Sequence, residues 1–495
     1  MSGPALVFIG FMGAGKTSAA RAVAAEFDTR PADSDALIEA RLGMSIEAWF
    51  ESRGERAFRD EEEAAVLALL EDPPSPVISL GGGAVTSERV QEALERHTVV
   101  FLDVDSDTAW QRAGGRRPLA RDRRRFDELL AQRIPLYERL ADAIVPAARR
   151  ESVRAALPSV RSLADAPPGT KLVWAQTESG GYPVLVGEGV VRLPVPGGVA
   201  VSDEHVGPLY APGDAIVIPA GEAHKTLTVA EGVLRGLAAR GLDHDGRVVA
   251  VGGGVVGDLA GFCAAVYQRG VPVVQVPTTL VAQVDSAYGG KTGIDLPEGK
   301  NYAGAYHQPA AVHVDPSTLR TLPPAELSAG WAEVVKTALI AGGDLWRRVR
   351  EGADVDRELI LACARTKLAV VAEDERDAGR RQVLNLGHTV GHAIETATGY
   401  TRFRHGEAVG LGLLAALTLS DKPSLRAEVA DLLAARGLPT RLPVDIDREA
   451  VAAATSLDKK RRGGEVGWVL VQSPGDVKTG RRVARDDLRA ALEEL

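Results

Sequence analysis

Three histidines and one glutamate in this sequence could together bind a metal ion. His388 and His392 are four residues apart, so both imidazole rings would project from the same face of a helix. His405 precedes another apolar helical run, and Glu333 lies on an earlier apolar segment. Two histidines, one carboxylate and an open position are typical of a catalytic site, because structural zinc normally has four protein ligands. Paired histidines also occur on ordinary helix surfaces, and their spacing does not choose between His388 and His392 as the ligand.

A second group of residues near the amino terminus could bind nucleotide phosphates. The apolar run at 5–9 predicts a buried parallel strand, and a helix is expected at 18–27. Between them lies the sequence GFMGAGKT, in the strand–loop–helix setting that a P-loop requires. Its glycines allow backbone N–H groups to surround phosphates, Lys16 can reach the terminal phosphates, and Thr17 can bind Mg²⁺. The segment therefore predicts a nucleoside triphosphate site.

A third candidate site follows the predicted strand at 248–251. This strand runs directly into GGGVVGD at 252–258, which opens a predicted helix. A glycine-rich turn between a strand and a helix is a site for a dinucleotide pyrophosphate. From about residue 322, long amphipathic helices with few strands replace the α/β pattern, and the histidines lie there. We therefore expect a nucleotide domain, a helical domain and an active site in the cleft between them.

Composition limits the class of protein. The length of 495 residues suggests two to four domains, and 45% hydrophobic with 25% charged residues is ordinary for a globular protein. The net charge of −9 argues against nucleic-acid binding through bulk charge. Cys263 and Cys363 lie in apolar segments, as expected of core thiols in a reducing compartment. With neither a signal peptide nor a membrane-spanning run in the sequence, we expect a soluble cytoplasmic protein.

A change in amino-acid composition marks a division of the chain into domains. The segment ADAPPGT at 164–170 carries two prolines and a glycine, which is typical of a linker. We therefore predict domains at 1–163, 171–321 and 322–495. Fragments 1–166 and 169–495 should then fold and work independently.

Further motifs identify the first region by resemblance. After the P-loop come DSD at 33–35, FRDEE at 58–62, GGG at 81–83 and RIPLY at 133–137. With these motifs, residues 1 to about 163 resemble shikimate kinase, a P-loop α/β fold with a parallel sheet and flanking helices. The resemblance implies that ATP–Mg²⁺ is bound by Gly13, Ala14, Gly15, Lys16, Thr17, Ser18, Asp33, Arg112 and the lid residue Arg117. It implies that shikimate is bound by Asp35, Arg59, Gly81, Gly82, Gly83 and Arg133.

The remainder resembles 3-dehydroquinate synthase. The motifs that carry the resemblance are GGGVVGD, VPTTLVAQVDSAYGGKTGID, GKN, AEVVK, NLGHTVGHAIE, RHGE and LDKK. The implied ligands of Zn²⁺ or Co²⁺ are Glu333, His388 and His405, which makes His392 a substrate-pocket group. The implied NAD contacts are Asp203, Glu222, Lys225, Gly254, Val255, Val256, Gly257, Asp258, Thr278, Thr279, Lys291, Lys300, Thr318, Leu319, Arg320 and Thr321. The implied substrate and phosphate contacts are Arg269, Lys291, Asn301, Lys336, Lys367, Arg381, Asn385, His392, Lys459 and Lys460.

The resemblance also implies a reaction and a partner. The synthase family oxidises a seven-carbon keto-acid phosphate with NAD, eliminates phosphate, reduces the product again and closes a carbocycle. A homodimer through the carboxyl-terminal half is expected, with Arg269 reaching the neighbouring subunit. One departure is Asp377, which stands where the family has glutamate.

Other functions fit parts of these patterns. A metal-dependent polyol dehydrogenase shares the NAD and metal sites, but it does not need Lys291, Asn301, Arg381 and the pair Lys459-Lys460. For the first region, the alternatives are another small-metabolite kinase, such as a gluconate kinase, or a regulatory nucleotide-binding module. Such a module would not need Asp35, Arg59 and Arg133 around a P-loop.

Overall fold

In a computed structural model, described for residues 4–114, 122–147, 151–211, 213–455 and 467–495, the chain forms two units. They are Met1–Leu185 and Val186–Leu495. The boundary between them therefore lies on the carboxyl side of the predicted linker at 164–170. Both units are α/β, as the sequence predicts.

The first unit is built on a mostly parallel sheet with flanking helices. Its strands are β1 (Leu6–Ile9), β2 (Ala32–Asp33), β3 (Val77–Ser79), β4 (Thr98–Asp103), β5 (Ala143–Pro146), β6 (Lys171–Gln176) and β7 (Gly181–Val186). Its helices are α1 (Lys16–Ala24), α2 (Ser34–Leu42), α3 (Ile46–Glu71), α4 (Glu88–Leu94), α5 (Ser106–Ala113), α6 (Arg123–Leu140) and α7 (Glu151–Ser162). The strand order is β2-β3-β1-β4-β5-β6-β7, and every pair from β2 to β6 is parallel.

The order of these strands positions the first site. β1 and β3 are wholly buried, as expected of parallel strands covered by helices on both faces. The P-loop leaves the carboxyl end of β1, Asp33 ends β2, and the glycine triplet at 81–83 follows β3. Because β2, β3 and β1 are parallel neighbours, these three segments meet at one edge of the sheet.

The strand β6 belongs to the first unit although it follows the predicted linker. Only a short 3₁₀ turn, Leu163–Asp165, and a tight turn separate α7 from β6. β6 pairs in parallel with β5, and its residues Leu172, Val173 and Trp174 are buried. Ser152 of α7 donates a hydrogen bond of 2.7 Å to Gln176 of β6. A fragment that ends at residue 166 therefore lacks part of this unit's core.

The second unit combines a parallel sheet with a group of helices. Its strands are β8 (Gly198–Asp203), β9 (Ile216–Ile218), β10 (Arg247–Gly252), β11 (Val273–Pro277), β12 (Lys291–Leu296), β13 (Gly299–Tyr306), β14 (Ala311–Val314), β15 (Trp468–Ser473) and β16 (Asp476–Arg481). Its helices are α8 (Gly207–Tyr210), α9 (Leu227–Ala239), α10 (Gly254–Val266), α11 (Pro324–Ala341), α12 (Gly343–Arg350), α13 (Arg357–Glu373), α14 (His388–Ala397), α15 (His405–Leu419), α16 (Pro423–Ala434), α17 (Arg448–Thr455) and α18 (Arg485–Glu493). The parallel order is β14-β11-β10-β8-β9, while β12–β13 and β15–β16 are antiparallel hairpins.

The metal-site candidates lie on the most buried helices of this unit. Nearly every residue of α11 from Ala329 onward is buried, as are most residues of α14 and α15. Glycines let these helices approach closely. Gly406 of α15, for instance, lies directly against the backbone of Ala329 in α11. Within the ranges described, no helix is long and apolar enough to cross a membrane.

Both cysteines lie inside this unit. Cys263 on α10 and Cys363 on α13 are fully buried and form no disulfide. Burial raises the pKa of each thiol to about 12. They are core residues, as the sequence predicts.

Candidate active sites

The P-loop of the first unit is shaped by glycine and centred on Lys16. Gly13 has a φ of 82°, and a Cβ there would lie 3.0 Å from both the Cα and the carbonyl carbon of Ala109. Only glycine fits both conditions. Lys16 is 8% exposed, and its Nζ donates hydrogen bonds to the carbonyls of Gly10 (2.9 Å) and Phe11 (3.1 Å). The ammonium is therefore held inside the loop by main-chain acceptors.

Thr17 and Asp33 form the candidate magnesium site. Thr17 Oγ1 donates a hydrogen bond of 2.8 Å to Asp33 Oδ2, while the other carboxylate oxygen caps α2 by accepting from Ala36 N. A hydroxyl and a carboxylate at the end of a P-loop are oxygen ligands of the kind that Mg²⁺ prefers. Ala14, Gly15 and Ser18 complete the loop and the first turn of α1.

Two arginines lie around the glycine triplet at the same sheet edge. A Cβ on Gly83 would lie 2.5 Å from Cζ of Arg59, so glycine is needed for this guanidinium to fit. Arg133 donates a hydrogen bond of 3.3 Å to the carbonyl of Gly82, which also accepts one of 2.6 Å from Tyr137. The arrangement supplies planar cations suited to a carboxylate.

Glu62 also belongs to this pocket, although the sequence alone predicts no role for it. It is 2% exposed and forms a salt bridge with Arg59 three residues earlier on α3. A Cβ on Gly81 would lie 2.6 Å from Asp35 Oδ1 and 2.7 Å from Glu62 Oε1, so both carboxylates face the triplet. Burial raises the pKa of Glu62, although Arg59 opposes the shift. The i, i+3 spacing of Arg59 and Glu62 is the signal that could have identified the pair.

Two arginines, Arg112 and Arg117, are also predicted to contact the nucleotide. Arg112 lies at the end of α5 and donates a hydrogen bond of 3.1 Å to the carbonyl of Ala147. Arg117, predicted to reach the transferring phosphate, lies outside the described residues.

The dinucleotide site of the second unit begins where β10 enters α10. Gly253 precedes the helix in an extended conformation, and no described side chain caps the helix. The first N–H groups of α10, from Gly254, Val255 and Val256, are thus available to an anion. Thr279 packs against Gly253, where a Cβ would lie 2.9 Å from its methyl group. The edge of the sheet is shaped for a close approach by a phosphate.

A buried lysine lies among three carboxylates beside this helix. Lys225, 3% exposed, lies 2.7 Å from Glu222, 3.3 Å from Asp258 and 3.8 Å from Asp295. Burial lowers the pKa of Lys225, but the carboxylates outweigh it and the net shift is upward. Burial also raises the pKa of Asp258 to about 6. This group of charges fixes Glu222 and Lys225, which are both predicted NAD contacts.

The other predicted NAD contacts surround the same sheet edge or lie next to it. Asp203 ends β8, and its Oδ1 accepts hydrogen bonds from the N–H groups of His205 and Val206. Thr318 is buried and accepts a hydrogen bond of 3.0 Å from Gln283. Thr278 is buried, Gly257 lies in the first turn of α10, and Leu319 and Thr321 share the 3₁₀ turn of Thr318. Arg320, by contrast, is exposed and forms a salt bridge with Glu188.

The structure brings Glu333, His388 and His405 together. Glu333 Oε1 lies 3.5 Å from Nε2 of His388 and 3.6 Å from Nε2 of His405. Ligands about 2.1 Å from a tetrahedral ion are roughly 3.4 Å apart, so these separations match a shared cation. Glu333 is 1% exposed, and its Oε1 accepts no hydrogen bond from any residue the structure describes. A buried carboxylate oxygen with that environment fits a metal ligand.

In both histidines, an oxygen acceptor beside Nδ1 determines which ring nitrogen carries the proton. Nδ1 of His388 lies 3.1 Å from the carbonyl oxygen of Leu386, which leaves Nε2 as the ligand atom. Nδ1 of His405 lies 3.5 Å from Glu395 Oε1. Partial desolvation disfavours protonation of His405, but Glu333 and Glu395 together raise its pKa to about 10 in the metal-free protein.

His392 is close to this centre but faces a different carboxylate. Its ring centroid lies 5.3 Å from that of His388 and 6.0 Å from that of His405. His392, Glu395 and His405 form a second group whose ligand atoms lie within 4.8 Å of one another. The two groups share His405. Its Nε2 faces Glu333 of the first group, and its Nδ1 faces Glu395 of the second.

A set of buried cations lies next to the metal candidates. Asp285, in a π-helical turn at Ala282–Ser286, forms salt bridges with Lys336 (2.8 Å) and with Lys367. Lys336 also lies 2.5 Å from Glu333 Oε2. Arg381 is 1% exposed and donates hydrogen bonds to the carbonyls of Glu375 and Gly289. Such a concentration of positive charge suits a phosphate.

Comparison with known proteins identifies both units. Residues 12–163 match the shikimate kinase family, 215–329 the amino-terminal domain of 3-dehydroquinate synthase and 330–461 its carboxyl-terminal domain. A 3-dehydroquinate synthase from Halorhodospira halophila is 43% identical over 350 residues, covering 65% of this chain and 98% of that protein. The chain belongs to the 3-dehydroquinate synthase family. Its residues 12–163 add a shikimate kinase domain, so two enzymatic domains are fused in one polypeptide, as the sequence predicts.

Other synthases extend this comparison. A 3-dehydroquinate synthase from Symbiobacterium thermophilum is 42% identical over 353 residues, covering 63% of this chain and 98% of that protein. Among solved structures, 2-epi-5-epi-valiolone synthase from Streptomyces hygroscopicus subsp. jinggangensis is 26% identical, with a TM-score of 0.58. The match covers 63% of this chain and 96% of the chain of that synthase, whose structure was determined with NAD⁺ and Zn²⁺ bound.

The synthase residue Asp377 contacts a predicted site residue despite its short side chain. Asp377 has a φ of 57°, and its Oδ2 lies 2.5 Å from Nζ of Lys291. Positive φ is uncommon for residues other than glycine, and Asp tolerates it better than most. Asp377 therefore pairs with Lys291, one of the predicted site residues.

The remaining predicted synthase residues lie on other segments of this unit, although the N–H of Asn301 donates a hydrogen bond of 2.7 Å to Asp295. Arg269 is exposed, with a φ of 72° after α10, and Asn301 is exposed on β13. Asn385 ends the 3₁₀ turn that precedes α14. Lys459 and Lys460 lie outside the described residues.

Proposed function

We propose that this chain catalyses two reactions. One is the ATP-dependent phosphorylation of shikimate. The other is the conversion of 3-deoxy-D-arabino-heptulosonate 7-phosphate to 3-dehydroquinate and phosphate. The observation that carries the second assignment is the convergence of Glu333, His388 and His405 beside a buried cation cluster. The first rests on a complete P-loop whose sheet edge also presents Asp35, Arg59 and Arg133.

In the kinase unit, the site residues act by binding and positioning the charged groups of the substrates, and they form no covalent bond with them. Lys16 and the loop N–H groups bind the nucleotide phosphates, and Thr17 with Asp33 holds Mg²⁺, which neutralises phosphate charge. Arg59 and Arg133 bind the carboxylate of shikimate, and Asp35 accepts a hydrogen bond from a ring hydroxyl. Glu62 keeps the Arg59 guanidinium in place.

In the synthase unit, the resident groups are NAD and a divalent ion. When bound, NAD accepts and returns a hydride, and the metal ion polarises a substrate hydroxyl. Glu333, His388 and His405 hold the ion through the three atoms that face one another. The amino terminus of α10 receives the pyrophosphate, beside the carboxylates of Glu222 and Asp258, whose negative charge Lys225 partly offsets.

The substrate phosphate is bound by the chain's own cations. Lys336 and Lys367 are nearly buried and share the carboxylate of Asp285, so their ammonium groups are fixed before substrate arrives. Arg381 is fixed by main-chain carbonyls. Three fixed cations fit a phosphate-bearing substrate better than a simple polyol, which has no anion to bind. The family resemblance supports a homodimer through the second unit, and light scattering of the purified chain tests it.

The two activities can be tested in one protein with reciprocal controls. Lys16→Ala should reduce shikimate phosphorylation by about 10³-fold or more, because the lysine stabilises developing phosphoryl charge. The same variant should convert the keto-acid phosphate at the rate of the unaltered chain. His405→Ala should show the opposite pattern, losing carbocycle formation while keeping kinase turnover. Near-normal kinase turnover in Lys16→Ala, or near-normal synthase turnover in His405→Ala, would contradict the corresponding assignment.

A further inference from the structure

Glu395 on α14 lies between a candidate metal ligand and a candidate dinucleotide contact. Its Oε1 is 3.5 Å from Nδ1 of His405 and 3.0 Å from Nζ of Lys300. The side chain is only 2% exposed. A carboxylate so buried is costly unless it is paired, and these two groups are the partners that compensate its charge.

We propose that Glu395 is a positioning residue that orients His405 for the metal ion and Lys300 for the dinucleotide. The proposal rests on the function proposed above for the synthase unit. It adds a residue to which that function assigned no role. Glu395 contacts neither substrate nor reacting atoms in this role, and it acts through the two side chains that it holds.

The comparison between the two histidine ligands supports the first half of this proposal. Both rings direct Nε2 toward Glu333 Oε1, and in both the remaining Nδ1 faces an oxygen acceptor. For His388 that acceptor is the neutral carbonyl of Leu386, whereas for His405 it is the charged carboxylate of Glu395. A carboxylate behind a ligating histidine fixes the ring and raises its basicity, and its loss typically costs 10- to 100-fold in metal affinity.

The contacts of Lys300 support the second half. Its ammonium lies 3.0 Å from Glu395 and 4.0 Å from Glu222, and 4.7 Å from the ring centroid of Tyr400. Glu222 belongs to the group of charges around Lys225 beside α10. Salt bridges thus run without interruption from the dinucleotide side, through Lys300 and Glu395, to His405. One carboxylate fixes a residue of each site, so its removal should affect both.

A different role for Glu395 would be direct coordination, together with His392 and His405. These three residues also have ligand atoms within 4.8 Å of one another. Glu395 Oε2 is buried and accepts no hydrogen bond from the residues that the structure places. In that arrangement His405 would use Nδ1 toward the ion and turn Nε2 away from it. The Glu333 site is favoured because its carboxylate lies at ligand-to-ligand distance from both Nε2 atoms.

The test measures zinc and NAD binding to the full chain, independently of turnover. Glu395→Gln keeps the side-chain volume and removes the charge, and Glu333→Gln provides the reference for loss of a true ligand. Zinc affinity is measured by competition with a chromophoric chelator, and NAD affinity by calorimetry on zinc-free protein. We expect Glu395→Gln to weaken zinc binding 10- to 100-fold and NAD binding roughly threefold or more.

Glu407→Gln is the matched control. Glu407 lies two residues from His405, but it pairs with Arg404 and caps α15, a role that glutamine also fills. It should leave both affinities unchanged, and kinase turnover should be equal in all variants. Unchanged zinc affinity in Glu395→Gln overturns the proposal, as does a loss as large as that of Glu333→Gln, which would make Glu395 a ligand. Failure of the proposed reaction would appear separately, as a wild-type chain that binds zinc without converting the keto-acid phosphate.

Discussion

The contact between α15 and α11 makes Gly406 a sensitive point for the metal site. A Cβ at Gly406 would lie 2.9 Å from the Cα and 2.5 Å from the carbonyl carbon of Ala329, and still closer to its oxygen. Carbon atoms in ordinary contact are at least 3.4 Å apart. In Gly406→Ala the two helices must therefore separate by at least about 1 Å, because the atoms in the way belong to a helix backbone.

This separation acts directly on the ligand geometry. His405 precedes Gly406, and Glu333 lies one helical turn beyond Ala329. Metal–ligand distances tolerate only about 0.2 Å, so a shift of roughly 1 Å should reduce zinc affinity by 100-fold or more. Overpacking of this kind costs about 1–3 kcal/mol, which for a unit of this size lowers the melting temperature by roughly 2–12 °C.

Gly410→Ala provides a control on the same helix. A Cβ at Gly410 would meet Leu433 Cδ1 at 3.5 Å and Ala332 Cβ at 3.9 Å, which are ordinary contacts. Alanine is favoured over glycine inside a helix by about 1 kcal/mol, so this variant should be as stable as the wild type or more stable. Its zinc affinity should not change.

The assay is chelator competition for zinc on both variants, with kinase turnover as an internal measure of protein quality. Gly406→Ala should lose zinc affinity while phosphorylating shikimate normally. Wild-type zinc affinity in Gly406→Ala would refute the reasoning, because it would show that the helix contact does not set the ligand positions. An equal loss in Gly410→Ala would refute it too, since that substitution requires no movement.

Two further predictions concern pH and truncation. Burial lowers the pKa of Lys367 to about 8, with Asp285 opposing the effect and Arg381 adding to it. The ammonium charge that we propose binds the substrate phosphate should therefore be lost above that pH. The synthase kcat/KM should fall above about pH 8, with Lys367→Arg moving the fall upward. The folded chain also releases this proton before the unfolded chain does, so the lysine's contribution to the free energy of unfolding should rise between pH 8 and 10.5. A kinase fragment 1–166 lacks the buried side chains of β6. Its melting temperature, measured by calorimetry, should therefore be roughly 10 °C or more below that of fragment 1–186. Equal melting temperatures would contradict this prediction.

Local patterns in the sequence predicted the parts of the fold that local physics determines. The strand at β1, the loop around Lys16 and the helix α1 follow one another within a few residues, so periodicity and glycine placement suffice to find them. The same holds for β10 and the start of α10. The metal ligands could not be predicted from local patterns alone. Spacing made His388 and His392 equivalent candidates, and only the family resemblance indicated His388 as the ligand.

Features that depend on distant partners could not be obtained this way. The run at 171–176 joins β5 across the sheet, and nothing in its own residues shows which neighbour it takes. Glu395 ends the motif NLGHTVGHAIE, but the residues it contacts, Lys300 and His405, lie 95 positions before it and 10 after it. The π-helical turn that aims Asp285 at two lysines likewise depends on helices α11 and α13 packing against it.

The buried thiols have a practical consequence for spectroscopy of this chain. Cys263 and Cys363 are its two cysteines, and both have pKa values near 12 with no exposed surface. Maleimide reagents attack thiolates, so the native chain should react hardly at all at neutral pH. A cysteine introduced at Val444, which is 94% exposed, would carry a fluorophore without prior removal of the native cysteines. Opening of the second unit could then be followed by emission from a single dye on the otherwise unaltered protein.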